Sequence, residues 1–305
     1  MFETVEFPSQ GAVLRGRLYR PAGTAPVPVV VMAHGTSATI TMTTDRYAEA
    51  FQESGFAVLL YDHRNFGKSG GEPRQEINPW VQARGYSDAI TFIESVAGID
   101  PESIALWGDS YSAAQVIVVG AVDARPAAVI AQIPAIGPHL PPPDPDGALF
   151  SALRNTLACG AVGGGPADTT GPLPVVSVDQ RGTPSLLTPI QAFRWFIEYG
   201  GRHGTNWQNE VTRVLPATLC PFHAGIAAPH LNHPLLMMIA PEDEMQGANP
   251  DVSRAAYASV PAPKELVEIR GGHFGLLHHP SELFDEASTV QIDFLVRTLV
   301  DAVPA

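Results

Sequence analysis

Four short apolar runs constrain this chain more than any other feature: "VPVVVMAH" (27–34), "AVLLYDH" (57–63), "SIALWGDS" (103–110) and "AAVIAQIP" (127–134). Each is continuous rather than alternating, as expected of a strand buried on both faces of a parallel sheet. Helical patterns separate them. One runs from about Asp45 to Ser54 and is stopped by Gly55. A second covers 79–96, with Pro79 suited to its first turn and Ala89, Ile90, Phe92, Ile93 and Val96 at helical spacing. A third is "YSAAQVIVVGAV", directly after the third run. Strands alternating with helices predict a mostly parallel sheet with helices on both faces. Before the first run, "TVEFPSQGAVLRGRLYRP" reads as two short strands turning at Gln10-Gly11.

The alternation stops at residue 135 and resumes at 233. After it come "PLLMMIA" (234–240), a helix near Asp251 to Ser259, "KELVEIRG" (264–271) and a last helix from about Ser281 to Val300. Residues 1–134 and 233–305 therefore form one α/β core, and 135–232 form an insertion in it. Within the insertion, "GPHLPPPDPDG" and "CGAVGGGPADTTGPLP" are too rich in proline and glycine for sheet strands. Helices are expected around "GALFSALRNTL" and "PSLLTPIQAFRWFIEYGG". The insertion is thus expected to be helical.

Charge and apolar run lengths exclude several function classes. A formal net charge of −13 argues against nucleic acid or anionic membranes as partners. No apolar run approaches the roughly 20 residues that span a bilayer, and the first residues carry no signal or transit pattern. Cys159 and Cys220 lack C-x-x-C spacing and read as free thiols, so a cytoplasmic protein is expected. His230 and His233 stand three apart with no acid or cysteine at metal-ligand spacing, and read as a loop pair.

Chemistry concentrates at the ends of the strands. Gly108-Asp109-Ser110-Tyr111-Ser112 fits the nucleophile-elbow pattern G-x-S-x-G except at its last position. Such a turn from strand to helix lifts a serine hydroxyl above the sheet with a helix N-terminus beneath it. An alcohol needs a base within hydrogen-bond reach. His273 in "RGGHFGLL" follows the last strand across two glycines, whereas His278 and His279 are expected to face solvent or cap the last helix. The base needs a carboxylate to hold its tautomer. Glu242, Asp243 and Glu244 all follow "PLLMMIA"; Asp243 is preferred for its short side chain, and the two glutamates stay open. Oxyanion donors are expected from the backbone N–H of Thr36, after the His34-Gly35 turn, and of Tyr111. His34 itself is expected to hold its loop. Asp109 adds negative charge beside Ser110, which would either slow attack or bias substrate choice.

With Ser110, Asp243 and His273 in this chain order, the sequence resembles the serine-dependent α/β-hydrolases. It is most similar to the bacterial subgroup related to dienelactone hydrolases. The resembling stretches are "VVVMAHGTSAT", "YDHRNFGKSGGEPRQEINP", "YSDAITFIES", "GIDPESIALWGDSYS", "PLLMMIAPEDE" and "RGGHFGLL". The resemblance implies an eight-stranded, mostly parallel sheet and no metal or organic cofactor. It also implies Ser110 as nucleophile, Asp243 as acid, His273 as base, and Thr36 and Tyr111 as oxyanion donors. "DHRNFGKS" matches a loop pattern of the wider fold, in which Asp62, Arg64 and Ser69 would order the chain after the fourth strand.

The insertion lies where this fold commonly carries a cap. Trp195, Phe196, Tyr199 and Phe222 are the candidates there for lining a substrate pocket. The glycine run 163–165 could let part of the cap move. The expected function is hydrolysis of a carboxylic ester or lactone through an acyl-enzyme, on a small-molecule substrate with a bulky apolar or aromatic part. Thioester or amide hydrolysis, acyl transfer and C–C hydrolysis use the same groups. A hydrolase-fold protein that binds a ligand without turnover is the reading from another class. Homodimers are common in this fold, but no interface is legible.

Overall fold

The computed structural model describes residues 1–23, 26–159 and 167–301. In chain order its strands are β1 (Phe2–Ser9), β2 (Ala12–Tyr19), β3 (Val27–Ala33), β4 (Ala57–Tyr61), β5 (Glu76–Ile77), β6 (Ile99–Asp109), β7 (Ala128–Gln132), β8 (Ala167–Leu173), β9 (Val211–Pro216), β10 (Leu235–Ile239) and β11 (Lys264–Glu268). The helices are α1 (Thr44–Glu53), α2 (Pro79–Glu94), α3 (Ser110–Val122), α4 (Ala148–Cys159), α5 (Ile190–Gly200), α6 (Ala224–Ala227), α7 (Pro250–Ser259) and α8 (Glu282–Leu295).

Eight strands form one sheet in the order β1-β2-β4-β3-β6-β7-β10-β11. Only the β1–β2 and β2–β4 pairings are antiparallel. The others run parallel, so β3, β6, β10 and β11 all end at one edge. All five residues of β4, β7 and β10 are buried, which is why these strands read as continuous apolar runs. The two apolar layers lie on opposite faces. One holds α2 and α3 residues such as Trp80, Tyr86, Ile90 and Ile117; the other holds Tyr47, Phe51, Phe284 and Phe294 from α1 and α8.

Local chemistry sets the helix starts. Pro79 opens α2, and the Asn78 side chain accepts from Trp80 N at 3.1 Å, a cap worth about 1 kcal/mol. Ser281 caps α8 by accepting from Phe284 N, so His278 and His279 do not serve as that cap. The loop after β4 is pinned by Asp62, whose carboxylate accepts from Ile40 N and Lys68 N, each at 3.0 Å. Ser69 Oγ accepts from Arg15 N at 2.8 Å. Arg64 makes a long contact to the Glu72 carbonyl at 3.5 Å.

The chain between β7 and β10 departs from the helical expectation. It holds α4, α5 and α6, but also β8 and β9, which join β5 in a second sheet of order β5-β9-β8. Thus "ADTTGPL", read as too rich in proline and glycine, is a strand. It is exposed along nearly its whole length and is held by antiparallel main-chain pairing to β9, such as Asp168↔Leu215. A strand with no buried side leaves no apolar pattern to read. The helix expected across "PSLLTPIQAFRWFIEYGG" begins only after Pro189. The glycine run 163–165 lies outside the described residues. Among those described, no helix is long and apolar enough to cross a membrane.

Candidate active site

Ser110 stands where β6 passes directly into α3, with a φ of 54°. That left-handed backbone costs a side-chain-bearing residue about 1–3 kcal/mol. The turn closes only because residue 108 is glycine: a Cβ there would lie 2.4 Å from the Ser112 carbonyl oxygen. The Ser112 side chain points elsewhere. Its hydroxyl donates to the His34 carbonyl and sits 2.9 Å from His63 Nε2. Serine at the last elbow position therefore occupies no space that the turn needs, and it ties α3 to the end of β3.

Three sequence-predicted side chains meet in a row. His273 Nε2 lies 2.9 Å from Ser110 Oγ, and Nδ1 lies 2.7 Å from Asp243 Oδ2. The His273 and Asp243 side chains are 3% and 2% exposed, so this contact is shielded from water. A carboxylate facing Nδ1 takes that N–H and leaves Nε2 as an acceptor for the serine hydroxyl. Of the three adjacent acids, Asp243 alone faces the ring. Glu244 instead accepts the main-chain N–H of His273 at 2.9 Å. Sequence reasoning missed this second hold on His273, although the residue was among the candidates.

His34 is buried, and its Nδ1 bonds the Gly35 carbonyl at 2.9 Å while Nε2 accepts from His63 N at 3.3 Å. Those two bonds specify a neutral ring, and burial holds its pKa below the usual imidazole value. His63 is driven well below that value by burial, with His34 adding to the effect. Burial raises Asp62, against the opposing influence of His34. Asp109 is pushed up to about 7 by burial, with His273 acting in the opposite direction. Burial pushes the Tyr111 phenol up to about 12, and Arg213 opposes it.

Ser110 and His273 open on a cavity of about 1100 Å³, whose wall also carries Thr36, Tyr111, Trp80, Leu187 and Arg213. Among the described residues the Thr36 amide finds no protein acceptor. The Tyr111 amide belongs to the first turn of α3, where no intrahelical acceptor exists. Trp195, Phe196 and Phe222 line the cavity. Tyr199 does not. Its ring stacks on Trp195 at 5.2 Å and its hydroxyl accepts from His279 N at 2.9 Å, so it packs behind the wall. Trp80 and Arg213 were not foreseen; Trp80 opens α2 just after the loop that follows β4, and Arg213 lies on β9, remote in sequence from every motif. His230 stacks on Phe150 at 3.8 Å, and His233 contacts the Asp123 carbonyl.

The model of the X-Pro dipeptidyl-peptidase (S15) family matches residues 10–139. Over its full length the chain superposes on the α/β hydrolase GrgF from Penicillium sp. sh18, with a TM-score of 0.72, 24% identity, and coverage of 98% and 99% of the two chains. The chain has the α/β-hydrolase fold. The chain is 28% identical to the quorum-quenching protein AidA of Acinetobacter baumannii, over 96% of its own length and 94% of that protein. It is 46% identical to the thiohydrolase aneE of Aspergillus aculeatus over 136 residues, which span 44% of this chain and 42% of that protein.

Proposed function

We propose that the protein hydrolyses a carboxylic ester or lactone through an acyl-enzyme formed on Ser110. The observation that carries this reading is the row Asp243–His273–Ser110, with contacts of 2.7 and 2.9 Å, opening on a cavity of about 1100 Å³. The Ser110 hydroxyl attacks the substrate carbonyl while His273 Nε2 takes its proton. Asp243 holds the Nδ1–H and stabilises the imidazolium. The amides of Thr36 and Tyr111 receive the oxyanion, and the developing charge lies at the N-terminus of α3. His273 returns the proton to the leaving alcohol. A water deprotonated by His273 then releases the acid. These steps call for no metal or organic cofactor.

Residues 135–232 are read as a cap, because Trp195, Phe196 and Phe222 from that segment face the same cavity as Ser110. A wall of this kind suits a substrate with a bulky apolar or aromatic part. The resemblance to dienelactone hydrolases and the expected cytoplasmic setting belong to this reading too. A thioester is the second substrate class, favoured by the local identity to a thiohydrolase.

Intact mass after exposure to a fluorophosphonate tests the reading. The wild type should gain one adduct and Ser110→Ala none. A panel of acetyl esters, bulky aryl esters, lactones and thioesters then ranks the substrates. An unlabelled wild type that turns over no member of the panel rules the proposal out.

A further inference from the structure

Asp109, the residue before Ser110, is a buried carboxyl that the steps above leave without a task. It is 5% exposed, and its Oδ1 has no hydrogen-bond partner among the described residues. Its side chain makes no cap to α3, although it stands at the N-cap position. It reaches the wall of the catalytic cavity. On the other side it presses on the loop that carries Thr36: a Cβ on Gly35 would lie 2.9 Å from Asp109 Oδ2. Glycine at 35 is therefore what lets that loop close on the carboxyl.

Burying a carboxyl with an unpaired oxygen costs stability, and fold alone gives no return for it. The groups that favour its ionised form are the His273 imidazole, the Gly35 backbone N–H and its own N–H. Tyr47 from α1 and Tyr86 from α2 also sense its charge. No lysine or arginine is among these neighbours. The carboxyl thus stands between the base and the oxyanion loop, coupled to both.

We propose that Asp109 is a positioning residue: its carboxylate holds the Gly35 amide, and with it the Thr36 donor, and its charge favours the imidazolium that forms when His273 accepts the Ser110 proton. This rests on the acyl-enzyme reading. Since burial brings its ionisation to about 7, catalysis should fall on the acid side as Asp109 takes up a proton.

The test measures kcat and KM from pH 5 to 9 for wild type and Asp109→Asn, alongside fluorophosphonate labelling rates and thermal melting. The variant should lose roughly 10- to 100-fold in kcat at pH 8, the scale of a displacement near 1 Å, with KM little changed. Its acid limb should be shallower by one ionisation in both turnover and labelling. Its melting temperature should be no lower than that of the wild type. Asp109→Ser carries the same readouts if the asparagine variant fails to fold. A variant with the wild-type acid limb overturns the inference, whether kcat is retained or is lost together with melting temperature. If the wild type forms an adduct in either case, the acyl-enzyme reading survives. A wild type without adduct or turnover overturns both.

Discussion

The Ser112 hydroxyl donates to the main-chain carbonyl of His34, linking the first turn of α3 to the end of β3. The same oxygen accepts from His63 Nε2 at 2.9 Å, and all three residues are buried. Replacing Ser112 by glycine would restore the usual elbow composition and leave two buried polar groups without this partner. We expect Ser112→Gly to lose roughly 2–3 kcal/mol, one buried hydrogen-bond site plus the flexibility of glycine in a helix. Urea denaturation reads this directly. A variant as stable as the wild type would refute the role given to Ser112.

Asp243 and Glu244 both hold His273, but by different atoms. Asp243→Asn leaves the ring without the acceptor that selects its tautomer, and should cut kcat by about 10³–10⁴. Glu244→Gln keeps that acceptor and weakens only the bond to His273 N, so a loss of about tenfold is expected. Steady-state kinetics on one ester separates the two. Equal losses would mean that the ring contact does not dominate.

Stability should depend on His63 in a definite direction. Its folded pKa lies well below the ordinary imidazole value of 6.5, so it contributes stability above that value which is lost as pH falls. The unfolded chain takes the proton and the native one does not. Each pH unit below 6.5 should cost about 1.4 kcal/mol for this group until the folded pKa is reached. Asp62 and Asp109, raised by burial, act in the opposite sense, so the difference between wild type and His63→Gln is the informative quantity. Denaturation at pH 7.5 and 5.5 should show the wild type losing more than the variant.

Trp195 and Phe222 face one cavity with different attachments. Trp195 is buried, donates Nε1–H to the Leu277 carbonyl at 2.8 Å and packs on Phe274. Trp195→Ala should cost about 3–5 kcal/mol, seen as a large drop in melting temperature. Phe222 is half-buried, with its ring edge-on to Trp80. Phe222→Ala should be milder in stability and should raise KM for bulky aryl esters more than for acetyl esters. Equal KM changes for both would remove Phe222 from the substrate surface.

Much of this site was legible because strand ends carry chemistry. The runs at 57–63, 103–110 and 234–240 are β4, β6 and β10 with ends shifted by a few residues. Their burial on both faces is what made them continuous. Ser110 and Asp243 could be proposed because each follows such a strand, and His273 because it follows the less buried β11 across two glycines; these parallel strands end at a common edge. Tyr199 lies behind the cavity wall because, beyond the helical face it shares with Trp195, its hydroxyl bonds His279 N, 80 positions away, which spacing within α5 does not show.

The sequence by itself determined the alternation of buried strands and helices, the strand-to-helix turn at Ser110, and the chain order of serine, acid and histidine. Apolar periodicity and small residues at a tight turn are local properties, so they are written in neighbouring positions. Tertiary structure alone decided that Asp243 meets the ring while Glu244 meets the main chain, that Ser112 bonds His34 and His63, and that the exposed segment 167–173 pairs as a strand. Those outcomes depend on the direction of each side chain and the register of distant strands. Only the packed chain brings residues so far apart within hydrogen-bond reach.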